Sequence, residues 1–100
     1  MNGKKKAQES DRQLFLDQGI TIKGDALARI GFPKAALLLS RHFADNWGCV
    51  DETRRRKNKS ALKQGRYGQT ILSIYNVMNA KVFVITQRKY GTRMFLGRDH

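Results

Sequence analysis

Acidic side chains are missing from nearly half of this chain. Between Thr53 and Arg98 there is no Asp or Glu, while the same stretch holds twelve Lys or Arg side chains. The first 52 residues hold eight basic and seven acidic side chains, so the second half accounts for almost the whole net charge of +12. A surface of one sign repels itself unless an anion neutralises it. This absence excludes a mimic of DNA and favours a partner rich in phosphate groups.

Cysteine, proline and long apolar runs are scarce too. The single cysteine, Cys49, excludes an internal disulfide and a zinc site built from several thiolates. The longest apolar run covers residues 35–39, which is too short to cross a bilayer. The polar N-terminus lacks the apolar stretch of a secretory signal. We therefore expect a cytoplasmic protein with no membrane contact, and neither a metal site nor a cofactor is predicted.

The length of 100 residues suits a single domain. Residues 1–12 are mostly charged or polar and show no apolar period. We predict a disordered basic arm over residues 1–12 and one α+β domain over residues 13–100.

Helix signals fill the middle of the chain. We expect a short helix over residues 26–30, which Gly31 ends. Pro33 then begins a second helix that should run to about Trp47, with Gly48 as its C-cap.

A third helix, predicted over residues 52–64, carries cations around nearly its whole circumference. Asp51 is its expected N-cap, and only Ala61 and Leu62 offer apolar contacts. Like charges at three- and four-residue spacing destabilise an isolated helix. A bound polyanion would offset this repulsion, so this basic helix is the most specific functional signal in the sequence.

Alternation of apolar and polar residues marks the strands. They are predicted over residues 19–22, 70–76, 81–87 and 92–96, and Asn79 is expected at positive φ in the turn between the second and third. The third is apolar on both sides, so it should be central in the sheet. The predicted fold class is α+β, with two to three helices packed on one face of a three- to four-stranded antiparallel sheet.

A further pattern runs with few gaps through about three quarters of the chain. It consists of His42, Asn46-Trp47-Gly48, Val50-Asp51-Glu52, Asn58, Ala61-Leu62, Gly65, Ser73, Tyr75 and Val84-Ile85-Thr86. This pattern resembles an uncharacterised family of small proteins encoded on plasmids and other mobile elements. The resemblance implies a setting on a mobile element and a shared scaffold, without an assigned chemistry. Family members tend to be acidic where this chain is basic, so either this member gained a polyanion partner or the likeness concerns the scaffold alone.

Two groups of residues are the predicted nucleic-acid contacts. In the basic helix, cations contact phosphates, and Arg55 and Asn58 are candidates to read bases. In the turns of the sheet, tyrosines interleave with cations, as suits stacking on unpaired bases. The predicted site residues are Arg54, Arg55, Arg56, Lys57, Asn58, Lys59, Lys63, Arg66, Tyr67, Arg88, Lys89, Tyr90 and Arg93.

We therefore expect a small basic protein of a phage, plasmid or other mobile element that binds RNA or DNA. One alternative is an anti-defence protein, such as an anti-CRISPR or anti-restriction factor, that binds an acidic surface of a host complex. A second is a ribonuclease toxin, because the order of elements also resembles the mRNA interferases. Cleavage beside a 2′-OH needs a proton acceptor, a proton donor and cations. The side chains available for it are His42, His100, Tyr75, Tyr90, Arg66 and Arg93, although His42 also fits a satisfied position in the core.

Overall fold

The computed structural model describes residues 19–63, 70–87 and 90–97. Its elements are β1 (Ile20–Ile22), α1 (Gly24–Phe43), α2 (Glu52–Lys63), β2 (Thr70–Val77), β3 (Ala80–Gln87) and β4 (Gly91–Leu96). The predicted α+β class is confirmed, and α2 and the last three strands begin and end within one residue of their predicted bounds. The basic arm predicted over residues 1–12 lies outside the described residues.

The four strands form one mixed sheet in the order β1-β4-β3-β2. β3 is central, as predicted, and it pairs antiparallel with β2 and β4. β1 pairs with β4 in parallel, with Thr21 opposite Arg93, so the prediction of a wholly antiparallel sheet is wrong. The reason is topological. The chain crosses back over the sheet through α1, so β2 runs in the direction of β1, and two hairpin reversals leave β4 in that direction as well.

α1 is kinked at Gly31, whose φ of 82° and ψ of 158° lie outside the helical region. Pro33 follows in the first turn after the kink, where its missing N–H loses no hydrogen bond. The segments on the two sides of the kink at Gly31 count as one element, so there are two helices among the described residues, where the sequence placed three within a predicted range of two to three. α1 ends at Phe43 rather than near Trp47, because Asp45 adopts a φ of 65° and stops it. Neither helix has the combination of length and apolar character that crossing a membrane requires.

α1 covers one face of the sheet and builds the main core there. The buried side chains of this core are Ile30, Ala35, Leu38, Tyr75, Val82, Val84 and Met94. Fully burying a large aliphatic side chain contributes about 1.5–3 kcal/mol, so packing on this face contributes substantially to the driving force for folding. A smaller cluster of Trp47, Val50, Ala61 and Ile71 joins α2 to β2.

The opposite face of the sheet is formed by the alternate residues of each strand, which are half-buried or exposed rather than buried. These residues do not belong to the core beneath α1. They include large apolar side chains as well as polar and basic ones. We call this set the open face; it consists of Thr21, Thr70, Leu72, Ile74, Asn76, Lys81, Phe83, Ile85, Gln87, Arg93 and Phe95.

The outer edge of β2 is closed by the chain segment between the two helices. The Cys49 N–H donates to the carbonyl oxygen of Ile74 (2.8 Å), and the Ile74 N–H donates to the carbonyl oxygen of Trp47 (3.1 Å). Gly48 lies at the point of closest approach with a φ of 73°, and a Cβ there would overlap the carbonyl oxygen of Ile74 and the ring of Tyr75. Gly48 is therefore required by this contact with β2, rather than as the predicted C-cap of α1.

Candidate nucleic-acid interface

α2 lies beside the outer edge of β2, and Asn58 attaches it there. The Asn58 amide nitrogen donates to the carbonyl oxygen of Leu72 (2.9 Å), and the amide oxygen accepts from the Leu72 N–H (3.1 Å). Asn58 is completely buried, and its amide supplies the pair of bonds that a neighbouring strand would give. The prediction that Asn58 reads bases is therefore wrong, because both ends of its amide are used inside the protein.

The first turn of α2 is organised by two acidic residues. Asp51 is the N-cap, as predicted, and its Oδ1 accepts a hydrogen bond from the N–H of Arg54 (2.8 Å). Glu52 forms ion pairs with Arg55 (3.8 Å) and Arg56 (3.6 Å). Exposed pairs of this kind stabilise a helix little, but they neutralise part of its charge. Arg55 and Arg56 are thus less available to a polyanion than the sequence indicated.

Arg54 and Lys57 line the side of α2 that borders the open face. A cavity of about 280 Å³ lies at this border, and it is lined by these two cations and by Asp51, Thr53, Leu72 and Ile74. Neither cation has an ion-pair partner among the described residues. The remaining predicted cations of α2, Lys59 and Lys63, are exposed.

Arg93 and Tyr90 stand at the other side of the open face. The guanidinium of Arg93 donates to Oε1 of Gln87 (3.3 Å), and Tyr90 is 65% exposed in the turn before β4. A second cavity, of about 650 Å³, opens beside Arg93. Its lining consists of Thr21, Lys23, Asp25, Phe83, Arg93, Phe95, Leu96 and Gly97.

The two predicted groups of contacts therefore lie apart rather than on one patch, since α2 is beside the outer edge of β2 and Arg93 is on β4 within the open face. β2 and β4 are separated by one strand, which places α2 and Arg93 more than about 10 Å apart. Lys81, which sequence reasoning did not select, points to the same face between them. None of the open-face residues is acidic. The predicted contacts Arg66, Tyr67, Arg88 and Lys89 lie outside the described residues.

A chain of polar side chains crosses the other face, beneath α1. His42 Nδ1 lies 2.7 Å from Ser73 Oγ and Nε2 lies 2.8 Å from Thr86 Oγ1, which in turn lies 2.8 Å from Thr92 Oγ1. Burial lowers the pKa of His42 from 6.5 to about 4, so the ring is neutral at pH 7. The network links α1 to three strands, and the expectation that His42 is satisfied in the core is confirmed.

Tyr75 is buried on the same face. Its hydroxyl donates to the carbonyl oxygen of Asn46 (2.5 Å), and burial raises its pKa. Tyr75 and His42 are buried, so a substrate cannot reach either of them. Two of the side chains that the ribonuclease alternative relies on are therefore not accessible to RNA. Two others, Arg66 and His100, lie outside the described residues.

The pattern that carries the resemblance to plasmid-encoded proteins falls mainly on these internal positions. His42, Ser73 and Thr86 form the buried network, while Gly48 and Asn58 close the edge of β2. Such residues specify a scaffold, and a scaffold alone does not define an activity.

Comparison with known proteins adds no relative, since no family model, curated protein or solved structure matches the chain. The described residues also contain no cluster of three or more His, Cys, Asp or Glu side chains able to hold a metal ion. Function has to be inferred from the charges and shapes on the open face and at its borders.

Proposed function

We propose that this chain is a small nucleic-acid-binding accessory protein of a phage, plasmid or other mobile element. The observation that carries the proposal is that cations border the open face on both flanks, two more stand on it, and none of its residues is acidic. Lys and Arg side chains of such a surface displace the cations condensed on nucleic-acid phosphates, and release of these counterions drives binding without base recognition. The setting on a mobile element is supported by the sequence resemblance alone.

The acidic residues nearest the open face do not cancel its charge. Asp51 caps α2, and Asp25 lies in the first turn of α1, where the helix dipole favours a carboxylate. Each cavity lining has two cations against one such acid: Arg54 and Lys57 with Asp51 in one, and Lys23 and Arg93 with Asp25 in the other. Both cavities therefore favour an anion.

The test is the salt dependence of binding to RNA, single-stranded DNA and duplex DNA. Each phosphate contact removed should lower the log–log slope by about 0.7 on a single strand and about 0.9 on duplex DNA. The double variant Arg54→Gln/Lys57→Gln should lose about two such contacts. The matched control is Lys34→Gln/Arg41→Gln, which makes the same charge change at exposed positions of α1.

We expect the control to retain most of the wild-type slope. Equal losses in the two variants would indicate that only net charge matters and that the open face has no special role. Absence of binding to all three nucleic acids at low salt would overturn the proposal. An acidic surface of a host complex would then be the partner to seek, in nuclease-treated lysate.

A further inference from the structure

Two phenylalanines form a stacked pair on the open face. Phe83 and Phe95 lie directly opposite each other on β3 and β4. Their ring centroids are 5.6 Å apart and their planes are inclined by 16°. Neither belongs to the core beneath α1, and both line the larger cavity. The pair thus presents aromatic surface beside a cavity on the face that α1 leaves uncovered.

The position of the pair is fixed by the backbone after β4. The Gly97 N–H donates to the carbonyl oxygen of Lys81 (2.8 Å), which draws Gly97 against Phe83. A Cβ at Gly97 would overlap the ring of Phe83. Since the backbone itself packs on the ring, the ring is held in place before any ligand arrives, and a preorganised surface loses less entropy on binding.

The charges around the Phe83–Phe95 pair indicate the kind of ligand that it contacts. Lys23 and Arg93 stand at the cavity beside the two rings, and Arg54 and Lys57 stand at the far border of the sheet. The four strands of the sheet together span about 14 Å. The surface therefore carries the aromatic pair in its middle, cations at both borders, and Lys81 and Arg93 on the face itself.

A single strand of nucleic acid complements this arrangement better than a duplex does. In a duplex the bases are stacked on one another, so an apolar sheet face would meet phosphates and sugars. In a single strand the unpaired bases offer flat π faces to aromatic side chains while the backbone reaches cations at the rim. Stacking of this kind is tolerant of base identity because every base has such a face.

We propose that the open face binds single-stranded nucleic acid, with unpaired bases packing on the Phe83–Phe95 pair and phosphates at Lys23, Arg93, Arg54 and Lys57. This inference rests on the proposed function and adds to it the strandedness of the ligand and three residues outside the predicted site, Lys23, Phe83 and Phe95.

The experiment compares full-length variants by fluorescence anisotropy with a labelled 12-nucleotide uridine RNA, the matching thymidine DNA and a 12-base-pair duplex. Phe83→Leu and Phe95→Leu keep an apolar side chain at each position and should each weaken single-strand binding about fivefold to a hundredfold. Duplex binding should stay within about twofold. Phe32→Leu makes the same change at an exposed position of α1, away from the open face; it is the matched control and should bind like the wild type.

A direct readout of contact uses Phe95→Trp, which keeps an aromatic stacking surface at this position and adds a fluorescent indole. This variant should bind the single strands at least as tightly as the wild type, and the fluorescence of the new indole should be quenched on binding. Trp47 is buried elsewhere in the structure and supplies a constant background. Comparison of the RNA and DNA strands shows whether the 2′-OH adds to recognition.

Three results would overturn the inference, and they differ from failure of the proposed function. In the first, both leucine variants bind single strands like the wild type while salt-dependent binding persists. In the second, the duplex is preferred and the leucine variants weaken it equally. In the third, sedimentation reveals a wild-type dimer that Phe95→Leu dissociates without changing single-strand affinity, so a second copy covers the face. If the wild type binds no nucleic acid at all, the proposed function fails as well.

Discussion

Asn58 and Leu72 are joined by two hydrogen bonds that link the middle of a helix to the edge of a strand. The amide of Asn58 gives one bond and accepts the other, at 2.9 and 3.1 Å. This link holds a helix whose cations repel one another, and so offsets part of that repulsion. Arg54 and Lys57 reach the border of the open face because Asn58 fixes the rotation of the helix beside β2.

Replacing Asn58 by Leu should lower the free energy of unfolding by about 2–4 kcal/mol, because the N–H and the carbonyl oxygen of Leu72 lose their partners. Urea unfolding followed by circular dichroism measures the change. The neighbouring exposed substitution Lys59→Ala is the control and should stay within about 0.5 kcal/mol of the wild type. Equal midpoints for the two variants would show that the link contributes nothing to stability.

Stability should fall as the pH is lowered from 6.5 to 4. The pKa of His42 is about 4 in the folded protein and 6.5 when the ring is exposed. Above pH 6.5 the ring is neutral in both states and the network contributes fully. Between these values the unfolded chain binds a proton that the native protein does not, and the loss reaches about 3 kcal/mol near pH 4.

Urea unfolding at several pH values checks this, with His42→Gln as the reference. The other ionisable groups are present in both proteins, so the difference between the two stability curves isolates the ring. That difference should shrink as the pH falls through the window. Two parallel curves would contradict the prediction.

Replacing Gly48 by Ala should destabilise the fold by about 2 kcal/mol or more. The new Cβ would meet the carbonyl oxygen of Ile74 and the ring of Tyr75 at a position with positive φ, and a non-glycine residue strained there adds about 1–3 kcal/mol. Gly24→Ala is the matched control, because a Cβ at Gly24 would have no neighbour within 4 Å. Thermal melting of both variants is the measurement, and a Gly48→Ala protein as stable as the control would refute this account.

The turn between β2 and β3 offers a stabilising change. Met78 and Asn79 both have positive φ, at 50° and 62°, which is the geometry of a type I′ hairpin turn. Methionine is poorly suited to that conformation, whereas Asn-Gly is the favoured pair. The double change Met78→Asn/Asn79→Gly should raise stability by about 1 kcal/mol, measured by urea unfolding. The contrasting double change Met78→Gly/Asn79→Pro should destabilise, because Pro cannot adopt the positive φ of position 79.

Local signals in the sequence predicted most of the secondary structure. The break at Gly31, the cap at Asp51 and the alternation in the last three strands depend on neighbouring residues only. For the same reason the partition of Val82 from Phe83 onto two faces was predictable, since side chains alternate along any strand.

The pairings between distant segments were not predictable in this way. β1 has three residues, too few to show which strand it joins or in which direction. The role of Asn58 was also hidden, because a buried asparagine inside a charged helix looks like one more polar surface residue. The pairing of Phe83 with Phe95 was hidden as well, because only the strand register places them beside each other on the open face.

The parallel pairing of β1 with β4 sets the order in which the molecule is completed. Among the described strands β1 leaves the ribosome first, yet the one strand it pairs with there, β4, is made last. The helices and the β2–β3 hairpin are made before β4, but none of them pairs with β1. The sheet therefore cannot close until synthesis has passed Leu96. Until then the side chains of Ile20 and Ile22 remain exposed to chaperones and to other chains.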